Sequence, residues 1–307
     1  MTATTTGLVS VIIPTYYRNE QLLKAIESVD LQTYDPVETI VVDGSGTEHA
    51  RSVVEPLGGV TYIPQAIDEG PHAARSLGIE HATGEYIQLL DDDDTLLPEK
   101  FEKQVEYLTA HPDIGVVYSG LRKEFGDVRT PDPDVQGDVL DEALTFGMSS
   151  CYNTTMLIRR AVIDAIMPLT NRHGADDVGM KIELARIARF GFVDEPLIRM
   201  GEQEYNLGSS WDAVDGKKEL LERYDELYAE TSPAVRARAV AHIYANIGRR
   251  SLDDDAWSPK AIRAFAYAIR TAPGFEAKYA VELLMSFGGR ATYVPASRVW
   301  RFCMKYQ

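Results

Sequence analysis

Two rhythms of apolar positions alternate along the first 120 residues. Leu8-Val-Ser-Val-Ile-Ile-Pro14 is almost entirely apolar and rich in β-branched side chains, the composition of a strand buried on both faces. From Glu20 to Leu31 the apolar residues Leu22, Leu23, Ile26 and Val29 recur at helical spacing. The same exchange repeats. Strands are predicted at 38–43, 60–63, 85–90 and 114–118, and helices at about 47–57, 71–81 and 98–110. Pro71 and Pro98 stand where a first helical turn accepts proline.

Strands and helices alternating at this spacing predict an α/β fold, a mostly parallel twisted sheet flanked by helices. Ligands of such sheets bind beyond the carboxyl ends of the strands. The Pro14–Arg18 turn, Asp43 and Asp91–Asp94 fall there by construction.

Beyond residue 120 the signals change. Residues 126–141 read as an irregular loop bordering the site, and Cys151–Ile158 reads as a strand. Helices are expected from near Arg160 and over 176–190, with extended pieces at 191–196 and 197–200. From Ser210 onwards the chain reads as helical, at 211–230, 233–250, 259–272, 275–287 and 295–305, with Pro and Gly pairs between them.

The chain has 307 residues and a net charge of −16, a poor basis for wrapping nucleic acid. It carries 24 Asp and 23 Glu, with 21 Arg against 10 Lys. That balance suits a surface kept soluble in concentrated salt, as in a halophilic archaeon; an ordinary acidic protein is the plainer reading. Residues 256–307 differ, with a net +6 that leaves −22 for residues 1–255. In the tail, Arg298, Arg301 and Lys305 interleave with Val299, Trp300, Phe302 and Met304, which suits either an anionic membrane surface or packing on the acidic domain. Cys151 and Cys303 lack metal-like spacing and fit a reducing cytoplasm. No signal peptide and no membrane-spanning run is expected, so a cytoplasmic protein, at most resting on the cytoplasmic face of a membrane, is the reading.

The chemistry concentrates in a few carboxylates. Asp91-Asp-Asp-Asp94 directly follows a buried strand, and four adjacent carboxylates repel one another unless a cation neutralises them. Mg2+ or Mn2+ takes one or two protein carboxylates and completes its shell with water and phosphates. A solvated acidic loop is the plainer alternative. Asp43 precedes Gly44-Ser45-Gly46 and suits either a base N–H or a turn. Tyr16 can stack on a nucleobase or simply pack. Arg75 can grip a diphosphate, or pair with Glu69 or Glu80. Asp176-Asp177 opens a helix, as capping residues or as a general base.

Together these stretches resemble the inverting glycosyltransferase family 2 with its GT-A fold. The matching segments are Val9–Tyr16, Thr39–Ser45, Asp68–Ile79 and Ala82–Asp94, with Asp176 and Val193–Leu197 extending the likeness to about residue 200. The resemblance implies a GT-A domain over 1–205, with a nucleotide-sugar half at 1–120, an acceptor and catalytic half at 121–205, and a helical region at 206–307. It implies that Pro14, Thr15 and Tyr16 frame the nucleoside, that Asp43 accepts from the base, and that Asp92 meets the ribose. Arg75 would approach the nucleotide, Asp93 would be the main metal ligand with Asp91 the weaker one, and Asp176 would be the base, with Asp177 as the alternative. The implied reaction moves a sugar from a nucleotide-diphospho-sugar, a UDP-sugar foremost, to a glycan or lipid-linked saccharide in protein glycosylation or surface polysaccharide assembly.

Two departures weigh against that transfer of roles. Ala175 replaces the glutamate before the catalytic aspartate, and Met200-Gly-Glu-Gln203 replaces a Tyr-Arg-x-His stretch, leaving the departing diphosphate to the metal and Arg75. A non-catalytic nucleotide- or glycan-binding subunit of a biosynthetic complex is therefore one rival. A metal-dependent nucleotidyltransferase is another, although Thr15-Tyr-Tyr-Arg-Asn19 is not a triphosphate loop.

Overall fold

The computed structural model describes residues 4–123, 127–172, 174–201 and 210–293. Gln203, Cys303 and the basic tail residues Arg298, Arg301 and Lys305 lie outside that range, as does the helix expected over 295–305. The chain divides into two compact units.

The first unit comprises Met1–Ala143, Met148–Asn171 and Gly179–Tyr205. Its elements run β1 (Thr5–Thr15), α1 (Asn19–Asp30), β2 (Val37–Asp43), α2 (Arg51–Val54), β3 (Val60–Pro64), α3 (Pro71–His81), β4 (Gly84–Leu89), β5 (Thr95–Leu96), α4 (Lys100–Ala110) and β6 (Ile114–Lys123). Then follow β7 (Val128–Arg129), α5 (Leu140–Leu144), β8 (Leu157–Arg159), α6 (Arg160–Asp164), α7 (Asp176–Ala185) and β9 (Arg189–Met200), with α5 and α7 each crossing the division between units.

The sheet runs β3-β2-β1-β4-β8-β6-β9-β5, with β7 on β6. Its β3-β2-β1-β4 half is parallel, as the apolar runs required. The other half makes the sheet mixed, with short antiparallel pairings: β8 is antiparallel to both β4 and β6, β5 is antiparallel to β9, and β6 runs parallel to β9. β5, β7 and β8 are two or three residues long, too short to leave a periodic signal in sequence.

Val9, Val11, Ile12 and Ile13 on β1 are fully buried, as are Val41, Val42 and Ile87 on its neighbours. Full burial of each such side chain favours folding by about 1.5–3 kcal/mol. Helix α3 lies directly on this surface. A Cβ at Gly78 would come within 2.4 Å of Ile12 Cγ2 and 3.2 Å of Val42 Cγ2, so a larger residue would lift the helix off the sheet. Arg75, one turn earlier, shares that inward face. The register aligns Thr15 with Asp43 and Asp43 with Pro64, which brings the carboxyl ends of β1, β2 and β3 level.

The second unit comprises Leu144–Gly147, Arg172–Val178 and Asn206–Gln307. It contains α8 (Trp211–Arg223), α9 (Asp225–Glu230), α10 (Pro233–Asp254), α11 (Pro259–Thr271) and α12 (Ala277–Ser286). The expected helix over 211–230 breaks at Tyr224. Ser210 caps α8, its Oγ accepting from Ala213 N at 3.1 Å, and Ser232 with Pro233 starts α10. Helices α10–α12 pack around Ala241, Ala245, Leu252, Phe265 and Tyr279, and Arg249 pairs with Glu282 at 2.7 Å. Leu144 joins this unit through Tyr228 Oη, which donates to its carbonyl at 2.6 Å. Among the described residues no helix is long and apolar enough to cross a membrane.

Candidate active site

The carboxyl ends of β1, β2 and β4 bring together Thr15, Tyr16, Asp43 and Asp91–Asp94, and α3 adds Arg75. Two of the four acidic residues of the 91–94 run are engaged on both oxygens. Asp92 Oδ2 accepts from Thr15 Oγ1 at 2.8 Å and Oδ1 from Arg18 Nη1 at 3.1 Å. Asp94 Oδ2 accepts from Thr154 Oγ1 at 2.7 Å and Oδ1 from Gly201 N at 3.1 Å. Those bonds tie the acidic turn to β1, to the turn before β8 and to the exit of β9. Gly201 lies so close that a Cβ there would stand 2.0 Å from the Asp93 carbonyl oxygen.

Asp91 and Asp93 remain. Arg75 Nη2 lies 2.5 Å from Asp91 Oδ1, and Arg18 Nη1 lies 3.2 Å from Asp93 Oδ2. Among the described residues, each thus gives only one oxygen to a cationic side chain. Burial, then the neighbouring Asp91 and Asp92 charges, push Asp93 up to about 6. Burial likewise raises Asp92, against the pull of Thr15 and Arg18, and lifts Asp94 above the usual carboxylate range. Such a turn is short of positive charge. No group of three or more His, Cys, Asp or Glu arranged to hold a metal occurs among the described residues. Asp93 and Asp91 are the carboxylates of this run that could contribute to a Mg2+- or Mn2+-type shell, in which one or two carboxylates are completed by phosphates and water.

The Pro14–Arg18 turn supplies the aromatic surface. Tyr16 is 52% exposed and meets Tyr17 edge-on at 4.8 Å between ring centroids. Tyr17 takes a left-handed backbone (φ 57°), and its hydroxyl lies 3.2 Å from Ser45 O and 3.1 Å from Thr47 Oγ1, which pins the turn to the loop after β2. Arg18 was not among the expected site residues. Its signal was its place in the turn after a buried strand, facing a run of carboxylates.

Asp43, expected to accept from the base or to hold a turn, sits deep in the loop after β2. It is 1% exposed, and it accepts from Ser45 N at 2.9 Å, Ala50 N at 2.8 Å and Tyr62 Oη at 2.7 Å. The Ser45 hydroxyl adds a fourth contact, and despite burial these donors hold the carboxyl below its ordinary range. Three of the roughly four acceptor sites of the carboxylate are thus taken within the loop after β2 and by Tyr62. Among the described residues Arg75 pairs with Asp91, and no ion pair with Glu69 or Glu80 is formed.

Asp176 and Asp177 open α7 and belong to the second unit. Asp176 Oδ1 accepts from the Arg172 backbone N–H, and Ala175 beside it is fully buried.

A curled mixed sheet flanked by helices, with a helical C-terminal region, is the architecture shared with the GT-A glycosyltransferases among its structural neighbours. The Glycosyl transferase family 2 pattern matches residues 10–167, and the chain belongs to that family. An uncharacterized glycosyltransferase of Nostoc sp. is 30% identical over 173 residues, covering 52% of this chain and 53% of the relative. A GalNAc(5)-diNAcBac-PP-undecaprenol beta-1,3-glucosyltransferase of Campylobacter jejuni is 38% identical over 93 residues, 29% of this chain and 30% of that protein. The chain thus spans about half or less of these relatives. Among solved structures, S. aureus TarS 1–349 with UDP-GlcNAc superposes with a TM-score of 0.65 at 17% identity, over 95% of this chain and 91% of that one. The mannosyltransferase PcManGT of Pyrobaculum calidifontis, with GDP-Man and Mn2+, gives 0.58 at 18% identity, over 94% and 85%. At these identities the likeness establishes the fold.

Proposed function

We propose that the protein is a divalent-metal-dependent, inverting glycosyltransferase that moves a sugar from a nucleotide-diphospho-sugar to an acceptor hydroxyl. The observation that carries this reading is the under-neutralised Asp91–Asp93 turn at the carboxyl end of β4, beside an exposed Tyr16, in a chain of family 2. Tyr16 stacks on the base, Pro14 and Thr15 frame the nucleoside, and Asp92 orients toward the ribose through a position fixed by Thr15. Asp93 would hold the metal, with Asp91 assisting. Arg75 is 9% exposed and lies against Asp91, where its guanidinium adds positive charge beside the diphosphate. A bound Mg2+ or Mn2+ would offset the charge that develops on the departing diphosphate.

Asp176 takes the proton from the acceptor hydroxyl as that oxygen attacks the anomeric carbon from the face opposite the diphosphate, which inverts the centre. Asp177 is the alternative base. A lipid-linked saccharide is the acceptor class, a reading supported by the name of the Campylobacter relative.

The experiment is a panel of nucleotide-sugars, each incubated with the purified protein, with and without MnCl2. Manganese-dependent hydrolysis or transfer from one donor supports the reading. Nucleotide binding without turnover of any donor, in the presence of lipid-linked acceptors, would replace it with the non-catalytic alternative.

A further inference from the structure

Beside Asp43, whose carboxylate already accepts from Ser45, Ala50 and Tyr62, lies a second acceptor for the hydrogen-bonding edge of a base. Gln65 follows β3, and its backbone N–H donates to Asp43 O at 2.9 Å. Its side chain was not among the expected site residues. It is 8% exposed, and Oε1 has no hydrogen-bond partner among the described residues. A buried amide oxygen left so is costly unless a ligand brings a donor.

The surroundings show where that oxygen faces. A Cβ at Gly44 would stand 3.4 Å from Gln65 Oε1, 3.7 Å from the Thr15 carbonyl oxygen and 4.0 Å from Asp68 Oδ1. The missing side chain of Gly44 therefore leaves a hollow of about one methyl group, in ordinary contact with these oxygens, at the level carboxyl ends of β1, β2 and β3. Its three nearest atoms are all oxygen acceptors. The hollow adjoins the turn that carries the exposed Tyr16.

We propose that Gln65 Oε1 accepts the ring N–H of a lactam nucleobase, so that the crevice over Gly44 admits uracil or guanine and rejects cytosine and adenine. The inference rests on the reading of this crevice as a nucleotide-sugar site. Uracil N3 and guanine N1 each carry a hydrogen. Cytosine N3 and adenine N1 present a lone pair at the corresponding place, so Gln65 Oε1 would face a lone pair there, and only the amino group beside it could reach the flanking oxygens. The two accepted bases differ in their neighbours. Guanine has an amino group beside N1–H that can also meet Asp68, whereas uracil has carbonyls on both sides of N3–H.

The test titrates the full chain with UDP, GDP, CDP and ADP in the presence of MnCl2, by calorimetry. CDP and ADP should bind at least about 10-fold more weakly than the better of UDP and GDP. Gln65→Leu should weaken that better nucleotide about 5- to 10-fold and leave manganese-pyrophosphate binding unchanged. Gln65→Glu keeps an acceptor and should preserve the base preference. Asp68→Asn should weaken GDP if guanine is the base, and leave UDP unaffected if uracil is. Wild-type discrimination in Gln65→Leu, or equal binding of all four nucleotides, overturns the inference while leaving the nucleotide site standing. Failure of every nucleotide to bind overturns both.

Discussion

Arg18 Nη1 stands 3.2 Å from Asp93 Oδ2 and 3.1 Å from Asp92 Oδ1, so one guanidinium nitrogen serves two carboxylates at the position proposed for a metal. The arginine side chain is 43% exposed, whereas the two aspartates are 7% and 8% exposed, so the cationic partner is the removable one. A divalent ion approaching Asp93 must displace or share with it. Arg18→Met should therefore tighten Mn2+ binding to the nucleotide-free protein by roughly 3- to 5-fold, a modest factor because the pair is partly solvent-screened. Calorimetric titration with MnCl2 reads this directly. Unchanged or weaker Mn2+ binding would mean that Arg18 supports the metal-binding arrangement and does not compete with it.

The raised Asp93 carboxyl gives a pH signature. Its ordinary value is 3.8 and the folded value is about 6, so between those limits the native state holds a proton that the unfolded chain has released. Stability from this group is present below pH 4 and is lost as pH rises through about 6. Asp93→Asn removes the ionisation. The variant should be more stable than the wild type at pH 7.5, by on the order of 2 kcal/mol in metal-free buffer, and should lose that advantage near pH 4. Urea denaturation at the two pH values checks it. Mn2+ should stabilise the wild type at pH 7.5 and much less at pH 5, where the proton competes for the same carboxylate. A wild type as stable as the variant at pH 7.5 would show that Asp93 ionises there without cost.

The parallel half of the sheet was legible because β1, β2 and β4 are largely buried on both faces and so read as runs dominated by apolar residues. The antiparallel insertions were not, since pairing partners of two or three residues are chosen by the whole fold. Local chemistry explains another difference. A helix was expected over 47–57, yet α2 covers only Arg51–Val54, because Ser45 Oγ accepts from Thr47 N at 3.2 Å and His49 N at 3.1 Å and holds a turn there instead. In the site, residue types at strand ends marked Asp91–Asp94, Asp43 and Tyr16. Whether such a carboxylate faces a ligand or its own loop depends on neighbours distant in sequence. For Asp43 that neighbour is Tyr62.

Lys100 is fully buried beneath β4, a placement nothing in its sequence context announced. Its Nζ meets Gln88 Oε1 and, at 2.5 Å, Gln104 Oε1. Each glutamine in turn donates to carbonyls of the Asn153–Thr155 turn, Gln88 to Thr154 O at 2.9 Å and Gln104 to Thr155 O at 2.9 Å. Burial pushes this amine well below its ordinary value, and a neutral amine has two N–H groups for the two amide oxygens. The unfolded chain then binds a proton that the native state lacks, so this group makes stability rise with pH up to about 10. Lys100→Met should abolish that rise and, by leaving two buried amide oxygens unpaired, destabilise the protein by about 1–3 kcal/mol. Thermal melts of both proteins between pH 7 and 9.5 decide the matter. Parallel pH profiles would show that Lys100 is charged in its cage.

Asp176 is the sharpest test of the proposed chemistry, because its backbone role and its proposed proton-transfer role can be separated. Its Oδ1 accepts from the Arg172 N–H at the start of α7, and asparagine keeps an oxygen able to do the same. Asp176→Asn should therefore fold with near wild-type stability and bind nucleotide and Mn2+ normally. It removes only the ability to take a proton from the acceptor, which should slow transfer by about 10²- to 10⁴-fold. Binding is read by calorimetry and transfer by product formation at saturating donor. Asp177→Asn is the matched control, since both residues share the first turn of the same helix. A large loss in Asp177→Asn with little change in Asp176→Asn would move the base one residue along. Equal, full activity in both variants would remove this helix from the proton transfer altogether.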